Sequence, residues 1–202
     1  MSEPMIEVVN LTKRYDGVLA VDRISFTIAQ GEIVGYLGPN GAGKSTTVKM
    51  LTGILRPTEG TIVIDGLDLW KNPLEVKRRI GYVPETGGVY ESLTAYEYLQ
   101  LVGRLYHLPE EVLDRRIEEF LRLFGLEAFM HERLSSYSKG MRQKVLISAA
   151  LLHNPKVLFL DEPLTGLDAH SALLLKELLR RLAAEGKTIF YCSHILDVVE
   201  RT

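Results

Sequence analysis

Gly38-Pro39-Asn40-Gly41-Ala42-Gly43-Lys44-Ser45 is the stretch from which the rest of the chain is read. It fits the spacing G-x-x-x-x-G-K-[ST] and lies between an apolar run of strand length, Ile33-Val34-Gly35-Tyr36-Leu37, and a helical pattern carried by Val48, Leu51 and Thr52. A strand, a glycine loop and a helix in that order make a cradle for an anion. Glycines let successive backbone N–H groups curl around phosphate oxygens with no Cβ in the way, and the helix that follows directs its positive end at the same charge. Lys44 is then placed to reach β- and γ-phosphates, and Ser45 to put its hydroxyl on Mg²⁺. The candidate nucleotide contacts run from Gly38 through Pro39, Asn40, Gly41, Ala42, Gly43, Lys44 and Ser45 to Thr46.

Further along, Val157-Leu158-Phe159-Leu160-Asp161-Glu162 is an apolar strand that ends in two carboxylates, the arrangement expected at the C-terminal edge of a parallel sheet beside a phosphate loop. Asp161 there is a candidate Mg²⁺ ligand, direct or through water. Glu162 is a candidate for orienting, or taking a proton from, the water that attacks a γ-phosphate. With Ile33–Leu37 and Thr188-Ile189-Phe190-Tyr191-Cys192, this strand is expected to form a parallel core buried on both faces. Leu174, Leu175, Leu178, Leu179 and Leu182 give a helix packed on that sheet.

The N-terminal third reads differently. Asp16-Gly17 separates two strand-like segments, which predicts a hairpin with Tyr15 at its tip, and Ile24, Phe26 and Ile28 alternate with Ser25 and Thr27 as in a half-buried antiparallel strand. From Thr86 to His153 the strand signal is absent, and helices are predicted over 96–105, 111–124 and 139–152, as a subdomain inserted into the core.

Composition sets the bounds. The chain has 202 residues, 46% hydrophobic and 25% charged, which suits one folded domain and not a disordered segment. Lys plus Arg number 24 and Asp plus Glu 26, a formal charge of −2, so no general affinity for nucleic acid is expected and phosphate binding must be local. Basic clusters such as Lys77-Arg78-Arg79 and Arg180-Arg181 read as solvated helix faces. Cys192 is the single cysteine, which excludes an internal disulfide and a cysteine metal cluster. The first residues carry no secretion signal and no apolar run reaches the roughly 20 residues of a membrane span, so a cytoplasmic setting is expected.

From Ile6 to about Arg201 the sequence resembles the ATP-binding subunit of an ABC transporter. The resemblance rests on the phosphate loop and on Tyr137-Ser138-Lys139-Gly140-Met141-Arg142-Gln143, Leu160-Asp161-Glu162-Pro163, Thr165-Gly166-Leu167-Asp168 and Ser193-His194, in the order of that family. It implies an α/β fold with a P-loop NTPase core, a mainly parallel sheet, an N-terminal antiparallel β layer and a helical subdomain. Residues 1–85 and 154–202 would form the core and 86–153 the helical part. It also implies that Ser138 and Gly140 bind the γ-phosphate held by an opposite subunit, although Ser138 alone reads as an ordinary helix cap. By the same resemblance Tyr15 stacks on adenine, Asp168 lies in a loop crossing the dimer interface, and His194 bonds the γ-phosphate and the attacking water. Glu85 stands where that family commonly has a glutamine that helps hold Mg²⁺, and Tyr137, Lys139 and Met141 depart from its usual Leu-Ser-Gly-Gly-Gln stretch.

Both departures resemble the branch that exports drugs, sodium, lipids or polysaccharides. The implied partners are ATP, Mg²⁺, a second ATP-binding subunit and transmembrane permease subunits, with the protein peripheral on the cytoplasmic side of the cell membrane. Relatives usually continue past the histidine that His194 matches, so a C-terminally trimmed chain is expected. The alternative is a soluble non-transport ABC ATPase. A translation factor of that kind has two cassettes per chain, and a DNA-repair type would need a long coiled coil between Lys44 and Asp161, where no sustained heptads appear. A small-molecule kinase would leave the Ser138–Gln143 stretch unexplained.

Overall fold

β1 (Ile6–Tyr15) and β2 (Val18–Ile28) meet at Asp16 and Gly17, which adopt φ of 41° and 87°. Two consecutive left-handed residues twist a turn in the same sense as its flanking strands, so the Asp-Gly pair closes the expected hairpin with Tyr15 at its end. Along β2, Ile24, Phe26 and Ile28 turn inward while Ser25 and Thr27 stay exposed. The computed structural model describes residues 4–85 and 88–193. Thr86, Gly87 and the candidate His194 lie outside the described residues.

The chain continues through β3 (Ile33–Leu37) into α1 (Lys44–Leu51), then β4 (Glu59–Ile64), β5 (Leu67–Asp68), α2 (Pro73–Arg79) and β6 (Ile80–Val83). The helical stretch holds α3 (Ala95–Leu105), α4 (Glu110–Leu123) and α5 (Lys139–Leu151), and β7 (Val157–Asp161), α6 (Ala169–Ala184) and β8 (Thr188–Ser193) follow. One antiparallel sheet runs β2-β1-β4-β5, and a parallel sheet runs β3-β8-β7-β6. Among the described residues no helix is long and apolar enough to cross a membrane.

Alternation along β7 and β8 makes two cores. Val157, Phe159, Phe190 and Cys192 point into a cluster with α1 and the antiparallel sheet, and Leu158, Leu160, Ile189 and Tyr191 into one with α3, α4, α5 and α6. The inserted helices therefore share a continuous core with the sheet. Gly81 shows how closely they pack, since a Cβ there would lie 2.3 Å from the Ala150 carbonyl oxygen of α5.

Burial on both faces holds for β7 and β8 but not for β3. Ile33 to Tyr36 are half-buried and Leu37 is 36% exposed, because β3 pairs only with β8 among the described residues and forms an edge. Thr94 caps α3, which starts at Ala95, one residue before the predicted position. Its hydroxyl accepts from the Glu97 amide at 3.1 Å while the Glu97 carboxylate accepts from the Thr94 amide at 2.8 Å. Such reciprocal capping decides a boundary that apolar spacing cannot.

Phe159 is fully buried between the two layers, its ring 5.8 Å from that of Phe190. Phe159→Ala is expected to cost about 3–5 kcal/mol, read as a lower urea midpoint at unchanged slope. A loss under about 1 kcal/mol would show that the site collapses around the cavity.

Candidate functional site

The parallel sheet aligns its C-terminal ends, with Leu37 level with Ser193, Asp161 with Cys192, and Val83 with Leu160. Whatever follows those strands meets at one edge. The loop from Gly38 to Ser45 leaves β3 there, and Glu85 follows β6. Together they enclose a cleft of about 350 Å³ lined by Asn40, Gly41, Gly43, Lys44, Ser45 and Thr46 on one side and by Glu85, Asp161 and Glu162 on the other. Ala20 of β2 closes it.

Gly43 precedes α1 at φ 83°, and a Cβ on it would lie 2.4 Å from the Ala20 carbonyl oxygen. Only glycine takes that left-handed turn with the hairpin pressed so close. Among the described residues no side chain caps α1, so its first N–H groups face the loop without a side-chain acceptor, as an anion site requires. The Lys44 ammonium, buried at 8% exposure, donates to the Gly38 and Pro39 carbonyls at 2.5 and 2.9 Å. Those two bonds hold the amine over the loop and leave a third donor for a phosphate oxygen.

Asp161 is 2% exposed, and its Oδ1 has no hydrogen-bond partner among the described residues. Burial raises the Asp161 pKa above the ordinary carboxylate range. The charges of Glu85 and Glu162 add to that rise, and Ser45 and Lys49 oppose it. A carboxylate in such surroundings is stabilised by a cation. Glu162 turns the chain off the strand at φ 49°, a conformation costing a non-glycine residue roughly 1–2 kcal/mol. Its amide donates to the Cys192 carbonyl at 3.0 Å, and the Ser193 hydroxyl donates to its Oε2 at 3.4 Å. The outlier sits at the strand end where a reacting group is wanted.

Other candidates lie apart from the cleft. Tyr15 is 43% exposed at the hairpin end, with the Lys13 ammonium 5.1 Å above its ring. Ser138 caps α5, its hydroxyl accepting from the Met141 amide at 3.2 Å. Gly140 abuts the turn after β7, where a Cβ would lie 2.4 Å from the Gly166 carbonyl oxygen. Asp168 caps α6, accepting from the Ser171 amide at 2.9 Å and hydroxyl at 2.7 Å, with Lys144 at 3.5 Å. Sequence reasoning missed Ala20, which contributes backbone and gives no side-chain signal. It also missed Gln143, whose buried amide donates to the Pro163 carbonyl at 3.2 Å and ties α5 to the turn after Glu162.

A phosphate loop between β3 and α1, facing strand-end carboxylates across a parallel sheet, defines a P-loop nucleoside triphosphatase. Residues 21–165 match the family model described as ABC transporter. The chain is 44% identical over 202 positions to the ABC transporter ATP-binding protein NatA of Bacillus subtilis (strain 168), covering 97% of this chain and 82% of that one. It is 37% identical to the Nod factor export ATP-binding protein I of Ralstonia nicotianae, covering 99% of this chain but 62% of that protein's length. Its structure matches a dimeric post-hydrolysis state of the ATP-binding cassette MJ0796 bound to ADP and Pi, with TM-score 0.89 and 29% identity over 96% of this chain and 90% of that one. The chain belongs to the ABC transporter family and is an ATPase.

The two hydrogen bonds from Ser171, and then the charge of Lys144, hold the Asp168 carboxyl well below the ordinary carboxylate range. A depressed folded pKa contributes stability above the unfolded value, about 3.9, which is lost as pH falls. Asp168→Ala is therefore expected to lower the thermal midpoint at pH 7, a deficit that persists to about pH 4 and shrinks as the pH falls well below it. A deficit independent of pH in thermal scans would remove the charged cap as its cause.

Proposed function

We propose that this chain is the ATP-binding and ATP-hydrolysing subunit that powers export through separate transmembrane permease subunits, working in pairs on the cytoplasmic side of the cell membrane. The observation that carries this reading is the division of phosphate-binding elements within one chain. The loop, Lys44 and the strand-end carboxylates line one cleft, whereas the exposed Ser138 and the half-buried Gly140 at the start of α5 are not among its lining residues. A site needing both is completed by a second chain, head to tail, with ATP between the two. The dimeric state of the related cassette supports pairing, and the export named for the Nod factor relative supports the direction.

Within the cleft, Gly38 to Thr46 would hold the phosphates, with Lys44 on the β- and γ-groups. The Ser45 hydroxyl and the Asp161 Oδ1, which has no partner among the described residues, are hard oxygen donors that suit Mg²⁺, and Glu85 offers another. Bound Mg²⁺ would supply charge neutralisation on the phosphates. Glu162 would orient the attacking water and accept its proton, with His194 assisting, and the Tyr15 ring would stack on adenine. Asp168 would face the partner across the interface.

The permease subunits would dock over a groove of about 350 Å³ between Ile54, Ile80 and Tyr82 of the core and Tyr98, Val102 and Tyr106 of α3 and its end. Pro84 lines that groove and the next residue, Glu85, lines the cleft, so one short turn touches both.

Glu162→Gln is expected to retain ATP binding, to lose hydrolysis by about 10²–10⁴-fold, and to accumulate as a dimer with Mg·ATP on size-exclusion chromatography. Turnover at the wild-type rate removes Glu162 from the reaction, and a variant that stays monomeric with ATP bound argues against the shared site. Lys44→Ala is expected to weaken nucleotide binding about tenfold or more through loss of a charged hydrogen bond, measured by calorimetry.

A further inference from the structure

A further cavity, of about 270 Å³, opens between α4 and α6 beside the connection from α5 to β7. Leu158 and Ile189 line it from the N-terminal ends of β7 and β8, the sheet edge opposite the phosphate cleft. Phe120 of α4 and Leu178 and Leu182 of α6 form its apolar wall. Arg116 and Lys187 supply positive charge at the same cavity.

Neither cation forms an ion pair among the described residues. The Arg116 guanidinium donates to the Leu152 carbonyl at 2.7 Å, and the Lys187 ammonium reaches the Asn154 carbonyl only at 3.5 Å. The acidic lining residue, Glu119, has Arg115 at 3.8 Å. Burial lowers the Lys187 pKa, and the charges of Arg116 and Lys156 lower it further against the opposing charge of Glu185. Two cations beside an apolar wall, matched mainly by neutral carbonyls, keep donors for a counter-charge. Inorganic anions leave the wall uncovered, and neutral apolar molecules leave the cations unmatched.

We propose that this cavity binds a small amphiphilic organic anion, a carboxylate with a short apolar tail. The carboxylate lies between Arg116 and Lys187, and the tail packs against Phe120, Leu178 and Leu182. The volume is near the low end of ligand pockets, about 300 Å³, which limits the occupant to a short chain. Since α4 belongs to the inserted helices and α6 packs on the sheet, the occupant touches both. The site requires no feature of the nucleotide cleft.

The test is titration of sodium octanoate into the purified protein, followed by calorimetry and by methyl NMR of labelled leucines. Saturable binding at one site is expected, with shifts at Leu178 and Leu182, unchanged by saturating ATP. Octanol and acetate should bind about tenfold more weakly, and Lys187→Gln should weaken octanoate about tenfold while ATP affinity stays the same, the size expected for one charged hydrogen bond. Leu178→Trp, which fills the cavity, should abolish octanoate binding in a protein that still binds ATP. Absence of saturable binding, displacement by ATP, equal affinity for octanol, or undiminished affinity in both variants would overturn the proposal.

Discussion

Four strands running in one direction leave their C-terminal ends at one edge, and the site depends on that shared polarity. The glycine loop follows β3, Glu85 follows β6, Asp161 and Glu162 end β7, and Ser193 ends β8. Parallel pairing holds these groups together without direct bonds among most of them. It also accounts for the burial of Asp161 and Glu162, because both faces of β7 are covered by apolar layers up to its last residue. A carboxylate at that depth is costly unless a donor or a cation meets it. The same polarity that gathers the acids thus presents them to phosphate donors and to hard cations.

The inserted helices are attached to this edge by few but close contacts. Gly140 meets Gly166 and Gln143 bonds the Pro163 carbonyl, while Gly81, toward the opposite edge, admits the backbone of α5 against β6. Two of these fall within five residues of Glu162, so the start of α5 and the carboxylate turn share one piece of backbone. Pro84 and Glu85 give a similar adjacency on the other side, between groove and cleft. For an ATPase of a transporter family, such shared segments are where chemistry and subunit movement can bear on each other.

Much of the fold was legible because the local signals were strong. An Asp-Gly pair flanked by apolar alternation has few solutions other than a hairpin, and leucines at 174, 175, 178, 179 and 182 make an apolar helical face. Short elements were not legible. β4 begins with Glu59 and Gly60, β5 has two residues, and β6 carries Gly81 in a run of four, so their pairing comes from neighbours rather than from pattern. The exposure of β3 was also hidden, since an apolar run at a sheet edge resembles one in the middle. In the cleft, Lys44, Ser45, Asp161 and Glu162 announced themselves through spacing. Ala20 did not, because its carbonyl contributes through position alone.

Spacing along the chain determined the phosphate loop, the acidic strand end and the helical stretch between them, because each reflects a local rule of backbone geometry or side-chain chemistry. Only the tertiary structure decided that Asp161 keeps a buried oxygen without a hydrogen-bond partner among the described residues, that Gly140 packs on the turn after β7, and that Arg116 and Lys187 flank one apolar cavity. Those facts depend on distances between residues remote in sequence, and such distances are set by how layers pack.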